Sequence, residues 1–436
     1  MTYHVAEEES LNRGGLDALQ RTKLAAMLEA ILPDNAFYQQ KFASISFNAS
    51  RDPLSALPFT TRGEIQADQA AHPPYGSNLT FTIDDYCRLY QTSGTSGTPI
   101  RWLDGPRDWD WWKRCWGIIY RAAGVRRGDR FLFPFSFGPF IGFWVGFESA
   151  VALGNLCLPG GGMTTRARLR FGLENDVTFI GCTPTYALRM VEVATEEGID
   201  LAASKVRGFI VGGEPGGSIP ATRSRIETAW GARLFDHSGM TEIGPYGFEC
   251  FEAPGGVHIM ESEFIAEVID PKTTEPVGEG EAGELVLTNL GRWGSPLIRY
   301  RTGDHVRVTR ERCACGRWFA RMEGGVLGRI DDMFIIRGNN VYPGAIEAIL
   351  RRFADLVEYR VEVIEGSALA ELRIEIEPAS EADGLRLAEG VSTAIRDQLN
   401  FKPDVRVLEP GALPRFELKA RRLVRRRVEA EDTPSD

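Results

Sequence analysis

The chain has 436 residues, of which 43% are hydrophobic and 25% are charged, and its formal net charge is −10. This length exceeds what one ordinary hydrophobic core supports, so the chain is expected to fold into two or three domains. The negative charge argues against a general nucleic-acid-binding protein, whose surface is broadly basic. It does not exclude a polyanionic ligand held by a few local cations and backbone N–H groups.

Seven cysteines, an odd number, together with a polar and acidic N-terminus, predict a cytoplasmic protein without a disulfide framework. The most apolar stretch, residues 131–158, is interrupted by prolines, by glycines and by Glu148. It therefore predicts buried core or the wall of a pocket rather than a membrane span.

Residues 16–42 have helical periodicity, with an apolar face that ends at Pro33. From Arg130 onward, short apolar runs alternate with longer segments that suit helices. The predicted strands are residues 130–133, 155–158, 177–180, 206–211 and 233–235, and the predicted helices are residues 165–174, 184–197 and 218–230. This alternation predicts an α/β layer with mostly parallel strands.

The pattern changes twice after Gly255. Residues 259–269 and 283–289 have β character around a turn-rich stretch, which predicts a β-rich subdomain. Beyond residues 328–337, the order helix, strand, strand, helix, strand predicts a compact α+β unit, and the charged tail from Leu423 is expected to fray. We therefore predict an α/β protein with a large N-terminal domain of several subdomains over residues 1–329 and a small, mobile α+β C-terminal domain over residues 330–436.

A segment rich in glycine and hydroxyl side chains precedes the α/β layer. It consists of Thr92, Ser93, Gly94, Thr95, Ser96, Gly97, Thr98 and Pro99. Glycines let a backbone bend close to a polyanion, and small hydroxyl side chains add hydrogen-bond donors without bulk. No Gly-Lys-Ser/Thr follows, so the segment is not a Walker A loop. On its own it predicts either a phosphate-binding loop or a flexible surface turn.

Four later segments gain meaning from their order. They are residues 212–215 (Gly-Gly-Glu-Pro), 236–242 (Asp-His-Ser-Gly-Met-Thr-Glu), 300–304 (Tyr-Arg-Thr-Gly-Asp) and 328–332 (Gly-Arg-Ile-Asp-Asp). The first two follow predicted strands directly, and ligands bind beyond the carboxyl ends of strands in open α/β sheets. Each segment alone could be a turn that needs Asp and Gly for backbone reasons. The four segments together, in this order, form a pattern that chance does not produce.

With these segments the sequence resembles the adenylate-forming superfamily of acyl-CoA synthetases, adenylation domains and luciferases, and within it the phenylacetate–CoA ligase branch. The likeness to the branch lies in residues 296–304, in residues 332–343, and in Leu-Pro-Arg at 413–415 leading to Lys419 and Ala420. The resemblance covers residues 16–424, which is almost the whole chain.

The resemblance implies a binding site for ATP. The implied nucleotide contacts are the loop from Thr92 to Gly97 over the phosphates, and Gly213, Glu214, Pro215, Asp236, Thr241, Asp304 and Arg329. Among them, Asp236 would lie at the amino edge of the adenine, with residues 213–215 along the ring. Asp304 would accept both ribose hydroxyls, and Arg329 would add a ribose contact.

The resemblance also implies the catalytic groups. Glu242 would help to hold Mg²⁺, and Lys419 would reach the reacting atoms from the small domain. Asp331 would be the hinge between the two domains. Gly338, in the loop of residues 337–342 after the hinge, would allow the pantetheine arm of coenzyme A to approach the backbone closely.

The implied reaction is the ATP-dependent activation of an aromatic carboxylic acid as its acyl-AMP, with release of pyrophosphate, followed by transfer of the acyl group to coenzyme A. A carboxylate that attacks the α-phosphate is repelled by the negative charge of the phosphate. Lys and Mg²⁺ supply the positive charge that offsets this repulsion. The carboxylate needs no general base, because it is already ionised near neutral pH. One alternative is an adenylating enzyme whose acceptor is a carrier-protein thiol, an amine or a hydroxyl. Another is a non-catalytic binding protein, against which Glu242, Asp304 and Lys419 argue.

The acid is expected to lie against residues 131–147, which hold several phenylalanines with interleaved glycines. An aryl group needs a flat apolar slot, and glycines make room beside aromatic walls. The candidate lining residues are Phe135, Phe137, Phe140 and Ile141 for the wall, Gly181 and Gly212 for the floor, and Met240 nearby. Most of these aromatics could equally be ordinary core, but the resemblance favours an acid of benzoate or phenylacetate size. The branch also suggests a homodimer, although no sequence feature establishes one, and no nucleic-acid or membrane partner is expected.

Cys250, His258, Cys313 and Cys315 form a candidate zinc site. Three thiolates and one imidazole would complete a tetrahedral structural Zn²⁺ site. The spacing is not a common zinc-finger pattern, but the resemblance to the branch implies such a set of ligands in this subdomain. The competing interpretation is that Cys250 is a small buried hydrophobe and His258 a hydrogen-bonded strand residue.

Two positions depart from the family pattern. Thr98 stands where the family loop often has Lys, which either weakens the attraction for the γ-phosphate or transfers it to another cation. Ser238 stands where an aromatic residue is common, and its small size could widen the adenine or acyl edge. His237 beside it is unusual, yet a lone histidine more often packs or hydrogen-bonds than catalyses.

Overall fold

A computed structural model describes residues 7–92, 98–336, 339–365, 371–416 and 420–427. The predicted site residues Ser93, Gly94, Thr95, Ser96, Gly97, Gly338 and Lys419 lie outside the described residues. Among the described residues, no helix combines the length and the apolar character that crossing a bilayer would require.

The N-terminal region holds three helices, α1 (Arg13–Ile31), α2 (Ala36–Phe42) and α3 (Arg62–Ala71). The prediction of one helix over residues 16–42 was therefore wrong. Helix α1 ends two residues before Pro33, which has no backbone N–H to continue the helical hydrogen bonds. The Asn35 side chain then caps a new helix by accepting from Tyr38 N at 3.1 Å. The apolar face of α1 was predicted and is buried at Leu16, Met27 and Ile31.

Strands β1 (Arg88–Gln91) and β2 (Arg101–Asp104) form an antiparallel hairpin on either side of the glycine-rich segment. Helix α4 (Pro106–Ala122) follows and buries four tryptophans, Trp109, Trp111, Trp112 and Trp116. A helix that is apolar over most of its circumference is enclosed by the fold. This helix was not predicted from the sequence.

A layer of parallel strands and helices comes next. Its elements are β3 (Arg130–Phe133), α5 (Trp144–Ala152), β4 (Leu156–Pro159), α6 (Thr165–Glu174), β5 (Phe179–Cys182), α7 (Pro184–Glu196), β6 (Gly208–Gly212), α8 (Pro220–Trp230) and β7 (Arg233–Met240). The five strands pair in parallel, as predicted, and their order in the sheet is β4-β3-β5-β6-β7. Their carboxyl ends lie at one edge of the sheet, and β7 continues past the predicted end at Phe235 through Met240.

The sheet continues with antiparallel strands because β8 pairs with β7 in the opposite direction. The added strands are β8 (Gly244–Glu249), β9 (Gly256–Ile259), β10 (Phe264–Ile269), β11 (Ala282–Asn289), β12 (Tyr300–Thr309), β13 (Arg321–Glu323) and β14 (Gly328–Arg329). Together they complete a sheet of twelve strands. The predicted β-rich region is present, although residues 259–269 form parts of two strands rather than one.

The C-terminal part has its own apolar core. Its elements are β15 (Phe334–Ile336), β16 (Asn339–Val341), α9 (Pro343–Leu350), β17 (Leu356–Glu365), β18 (Glu371–Pro378), α10 (Gly384–Leu399), β19 (Asp404–Val407) and β20 (Leu423–Arg427). Four strands form a sheet in the order β19-β18-β17-β20, over a core that includes Ile346, Ile374 and Val391. The predicted fold class, a large α/β part followed by a small α+β part, is confirmed.

The prediction that the chain frays from Leu423 was wrong for residues 423–427, and residues 428–436 lie outside the described residues. Residues 423–427 pair in parallel with residues 361–365 of β17, and Leu423 packs against the core. The edge of β17 offers unpaired backbone groups, so a charged segment gains a full ladder of hydrogen bonds there. Arg425 also donates to the carbonyl of Asp332 at 3.1 Å, which ties the strand to the start of the C-terminal part.

Candidate active site

The two ends of the glycine-rich segment are held together. Thr92 N donates to the carbonyl of Ile100 at 2.9 Å, and the Thr92 hydroxyl accepts from Ile100 N at 3.0 Å. On the far side, Gln66 of α3 donates to the carbonyl of Thr98 at 3.5 Å. The predicted phosphate segment is therefore anchored on β1 and β2 beside α3.

Glu242 follows β7 and is buried, with 8% of its surface exposed. Its Oε1 lies 3.8 Å from the Arg62 guanidinium, and the Tyr300 hydroxyl donates to the same oxygen at 3.4 Å. Arg62 begins α3, and Gln66 lies one helical turn further along the same face. Arg62 therefore lies between the end of the glycine-rich segment and Glu242, a position that the sequence analysis did not identify.

Arg292 holds the backbone at Thr241 and Glu242. Its guanidinium donates to the carbonyls of Thr241 and Glu242 at 3.0 and 2.8 Å, and to both carboxylate oxygens of Asp104 at 2.7 and 2.8 Å. Both side chains of this ion pair are fully buried. Removing one partner of such a pair costs about 3–5 kcal/mol. No local motif marked either residue, because they are 188 positions apart.

Asp304 lies on β12, directly opposite Arg329 of β14. Its two oxygens accept from the Arg329 guanidinium at 3.0 Å and from the Tyr246 hydroxyl at 2.9 Å. Arg329 also donates to Asp331 at 3.0 Å. The structure thus brings together three predicted residues, and the Asp304 carboxylate keeps lone pairs for further donors. Burial raises the pKa of Asp304 above its usual value, although Arg329 opposes the shift.

Asp236 lies on β7 with its carboxylate beside the loop that follows β6. It accepts from the Ser218 hydroxyl at 2.5 Å, and a Cβ at Gly217 would lie 2.4 Å from its carboxyl carbon, so only glycine fits there. Burial raises the pKa of Asp236 to about 6. Gly213, in the same loop, has a φ of +92°, which favours glycine. The loop and Asp236 are adjacent, as predicted, and Pro215 is exposed.

The Glu214 carboxylate has two hydrogen bonds that the sequence analysis did not anticipate. One oxygen accepts from Thr185 N at the start of α7, at 2.9 Å, and the other accepts from Ala420 N in the C-terminal part, at 2.8 Å. Burial raises the pKa of Glu214. The side chain therefore bridges two parts of the fold, and any border to an adenine comes from the backbone of this loop.

Aromatic side chains form a continuous wall beside β7. The Phe135 ring lies 4.6 Å from that of Phe137 and 5.6 Å from that of Phe143, which in turn packs on Trp116. Phe137, Phe140 and Met240 are partly buried against the same cluster, and Phe135 and Ile141 belong to it. Most of the predicted lining residues are therefore adjacent.

Two glycines limit how far this wall can be filled. A Cβ at Gly181 would lie 2.8 Å from the Phe133 ring, and one at Gly212 would lie 2.6 Å from the carbonyl oxygen of His237. Side chains at these positions would therefore clash with the wall or with β7, which supports their predicted place at its floor.

His237 adds one polar group to the aromatic wall. Its ring lies 4.7 Å from that of Trp116, and Nδ1 donates to the carbonyl of Gly247 at 2.8 Å. Because a carbonyl can only accept, Nδ1 carries the proton and Nε2 is an acceptor. Among the described residues, Nε2 has no hydrogen-bond partner. Burial lowers the pKa of His237 to about 4, so the ring is neutral near pH 7.

Cys250, His258, Cys313 and Cys315 converge at one end of β8 and β9. Their ligand atoms all lie within 4.8 Å of one another. The Sγ atoms of Cys250 and Cys313 are 3.7 Å apart, and Cys315 Sγ is 3.6 Å from His258 Nε2. Zinc–sulfur bonds of about 2.3 Å in a tetrahedron give ligand separations of about 3.8 Å. His258 Nδ1 donates to the carbonyl of Phe319 at 3.1 Å, which leaves Nε2 as the ligand atom. The donor set fits Zn²⁺.

Comparisons with known proteins agree with this arrangement. The AMP-binding enzyme family matches residues 58–291, and the AMP-binding enzyme C-terminal domain matches residues 338–427. The chain is 32% identical to a phenylacetate–coenzyme A ligase of Thermus thermophilus, over 94% of this chain and 96% of that protein. It is 30% identical to one of Pseudomonas putida, over 96% and 97%.

Solved structures of 2-hydroxyisobutyryl-CoA ligase resemble the whole chain. In its postadenylation state with the acyl-AMP, the TM-score is 0.90 at 27% identity, over 96% of this chain and 91% of that chain. In its thioesterification state the TM-score is 0.72 at 28% identity, over the same shares. Because both are structures of one protein, the difference reflects the arrangement of the parts. The arrangement in the present structure is closer to that of the postadenylation state.

The fold, the clustered site residues and the relatives agree on one chemistry, the ATP-dependent formation of an acyl–coenzyme A through an acyl-adenylate. The chain belongs to the AMP-binding enzyme family, as an acid–thiol ligase of the phenylacetate–coenzyme A ligase branch of the adenylate-forming superfamily.

Proposed function

We propose that the protein is an aryl-acid–coenzyme A ligase that activates a benzoate- or phenylacetate-like acid. Strand β7 carries this proposal. Neighbouring residues of a strand point to opposite faces, so β7 presents Asp236 towards the loop after β6 and His237 towards the aromatic wall. A nucleotide and an aromatic acid held on the two sides of this strand would meet near its end, at Glu242.

In the first half-reaction, the ribose hydroxyls donate to Asp304, and the adenine amino group donates to Asp236. The ion pair of Asp304 with Arg329 keeps the first carboxylate in place before the nucleotide binds. Glu242 would supply the hard oxygen ligand that Mg²⁺ prefers, and Mg²⁺ held there would offset negative charge on the phosphates. Arg292 keeps Glu242 in position through the backbone carbonyls.

Arg62 supplies the cation that the glycine-rich segment lacks. No Lys or Arg occurs from Thr92 to Ile100. The Arg62 side chain is 31% exposed, and its ion pair with Glu242 is long, at 3.8 Å. A guanidinium held loosely in this place can donate to the β- and γ-phosphates without breaking a strong internal pair.

In the second half-reaction, the C-terminal part rotates about Asp331, which withdraws Lys419 and brings the loop of residues 337–342 to coenzyme A. The boundary between the parts then lies at residues 329–330, directly after β14. The position of Asp331, hydrogen-bonded to Arg329 of the large part, supports a hinge because a rotation there changes few buried contacts.

The aromatic wall supports an aryl acid. Its rings are arranged edge to face around Phe137 and Phe143, which is the arrangement that aromatic groups prefer. The relatives named phenylacetate–coenzyme A ligases point to the same class. His237 Nε2 adds one acceptor, which would recognise a hydroxyl or amino substituent on the ring.

The cysteine and histidine cluster is a structural Zn²⁺ site in this proposal. Bound Zn²⁺ would join β8, β9 and the loop before β13, which brings chain segments about sixty residues apart into one unit. The cluster takes no part in catalysis.

Acid-dependent exchange of pyrophosphate into ATP tests the proposal. The panel contains benzoates, phenylacetates, a medium-chain fatty acid and a short 2-hydroxy acid, each assayed alone and then with coenzyme A and mass analysis of the product. Exchange that is strongest with aryl acids, together with aryl-CoA formation, supports the proposal. Exchange only with aliphatic acids would refute the substrate class. Exchange without acyl-CoA would favour a carrier-protein thiol, an amine or a hydroxyl as the acceptor.

A further inference from the structure

Glu214 is the point at which the segment after Lys419 meets the large part of the molecule. The carboxylate follows β6 and accepts one backbone N–H with each oxygen, from Thr185 at 2.9 Å and from Ala420 at 2.8 Å. The Ala420 N–H belongs to the peptide bond that joins it to Lys419. A bond to this group therefore restrains the backbone next to the predicted catalytic lysine.

The first of these bonds belongs to the large part alone. Thr183 caps α7 by accepting from Tyr186 N at 3.2 Å, and Glu214 satisfies the N–H of Thr185 in the same first turn. Unpaired N–H groups and the helix dipole make this end of α7 favourable for a carboxylate. The bond to Thr185 therefore does not depend on the C-terminal part, and the second oxygen of Glu214 accepts from Ala420 N.

A second contact runs alongside. Arg422 Nη1 donates to the Thr185 hydroxyl at 3.2 Å, while Nε and Nη2 donate to the two oxygens of Glu358 on β17 at 2.6 and 2.9 Å. The Arg422 guanidinium also lies over the Tyr359 ring at 5.1 Å. Arg422 therefore connects the start of α7 to β17, an inner strand of the small sheet.

We propose that Glu214 is a positioning residue, a latch that holds the backbone at Ala420, the residue after Lys419, in the adenylating arrangement, and that its bond to Ala420 breaks when the C-terminal part rotates for thioester formation. This inference rests on the proposed function. A hydrogen bond from a backbone N–H to a carboxylate is stronger than one between two neutral groups. Because only one such bond joins Glu214 to Ala420, it can favour the adenylating arrangement and still break when the C-terminal part rotates.

Glu214→Gln tests the latch with little change in shape. The amide oxygen can still accept from Thr185 N, but the amide NH₂ then faces the Ala420 N–H, so two donors oppose each other. Glu227→Gln is the matched control, because Glu227 also accepts a backbone N–H, from Leu234 at 2.8 Å, but within the large part only. We expect Glu214→Gln to slow acyl-AMP formation by about 10-fold. Thioester formation from supplied acyl-AMP should change less than about 2-fold, because the bond to Ala420 is already broken in that arrangement and its loss costs nothing there.

An equal loss of both half-reactions, or no loss of acyl-AMP formation, would overturn the latch. A second readout needs no acid at all. Fluorophores introduced through unnatural amino acids at the exposed Val151 and Leu385 report the distance between the two parts. Glu214→Gln should broaden the distance distribution of the free protein, whereas Glu227→Gln should leave it as in wild type. An unchanged distribution in Glu214→Gln would overturn the latch, and wild-type protein without exchange on any acid would instead refute the proposed function.

Discussion

Replacing Arg62 by alanine tests how this chain binds a triphosphate without a cation in its glycine-rich segment. Two unit charges about 4 Å apart interact by about 4 kcal/mol at an effective dielectric constant of about 20. The Arg62 side chain is 31% exposed, so solvent and salt screen most of this energy. We therefore expect a loss of about 1.4 kcal/mol, which is about a tenfold rise in the KM for ATP.

The assay separates the two half-reactions. Pyrophosphate exchange uses the β- and γ-phosphates, whereas thioester formation from supplied acyl-AMP does not. Arg62→Ala should impair only the exchange, Arg62→Lys should restore most of it, and Arg51→Ala, at an exposed surface arginine, should match wild type. An unchanged KM for ATP in Arg62→Ala, or an equal fall in both half-reactions, would refute the phosphate role.

Three further predictions concern other parts of the site. The pKa of Asp236 is raised to about 6, so its carboxylate becomes protonated as pH falls through about 6. The KM for ATP should therefore rise between pH 7 and 5 in wild type and stay level in Asp236→Asn. Cys315→Ser should lower the zinc content, measured by mass spectrometry of chelator-free protein, from about one ion per chain to near zero, and should lower the melting temperature by several degrees. His237→Phe should reduce kcat/KM about 5- to 10-fold for hydroxy- or amino-substituted aryl acids, the worth of one neutral hydrogen bond, and spare their methyl-substituted analogues.

Each of these predictions has a contradicting result. A KM for ATP that shows the same pH dependence in Asp236→Asn and wild type would remove the adenine contact. Wild-type protein without zinc, or a melting temperature that Cys315→Ser and the exposed-site variant Cys87→Ser lower equally, would remove the structural metal. Equal effects of His237→Phe on both acids of a matched pair would make His237 a packing residue.

The sign of the Asp236 shift also bears on stability. A carboxyl group whose folded pKa exceeds its unfolded value of about 3.9 binds a proton more readily in the folded state. Its ionisation therefore opposes folding fully above about pH 6, and this cost disappears below the unfolded pKa. Functional sites commonly hold titratable groups with shifted pKa values at the expense of folding stability, and Asp236 fits this pattern.

The parallel layer was predictable because buried strands and amphipathic helices leave clear patterns over short distances. The strand limits at Arg130–Phe133 and the helix at Thr165–Glu174 match the prediction. Helix α4 was missed although its side chains separate into a buried, tryptophan-rich face and a face that exposes Asp110 and Arg114. Strand β20 was missed because its charged residues gain order only from the edge of β17, which is about sixty residues away.

Local sequence patterns predicted only part of the candidate site as well. Ordered motifs identified Asp304 and Arg329, and the structure pairs them at 3.0 Å. Arg62 belongs to no motif, because its role depends on the position of α3 relative to Glu242, which is distant in sequence. The direction of the Glu214 side chain was equally hidden, since its partner Ala420 lies 206 residues away. Site residues within a motif could be predicted from the sequence, whereas contacts between distant segments could not.

A single-turnover experiment tests the central claim most directly. The protein is mixed with ATP and an aryl acid without coenzyme A, quenched over time and analysed by mass spectrometry, and coenzyme A is then added to a parallel sample. We predict that aryl-AMP accumulates to about one equivalent per chain with release of pyrophosphate, as expected for a bound intermediate, and is consumed as aryl-CoA appears. Formation of ADP and phosphate, or of aryl-CoA with no preceding aryl-AMP, would contradict the account.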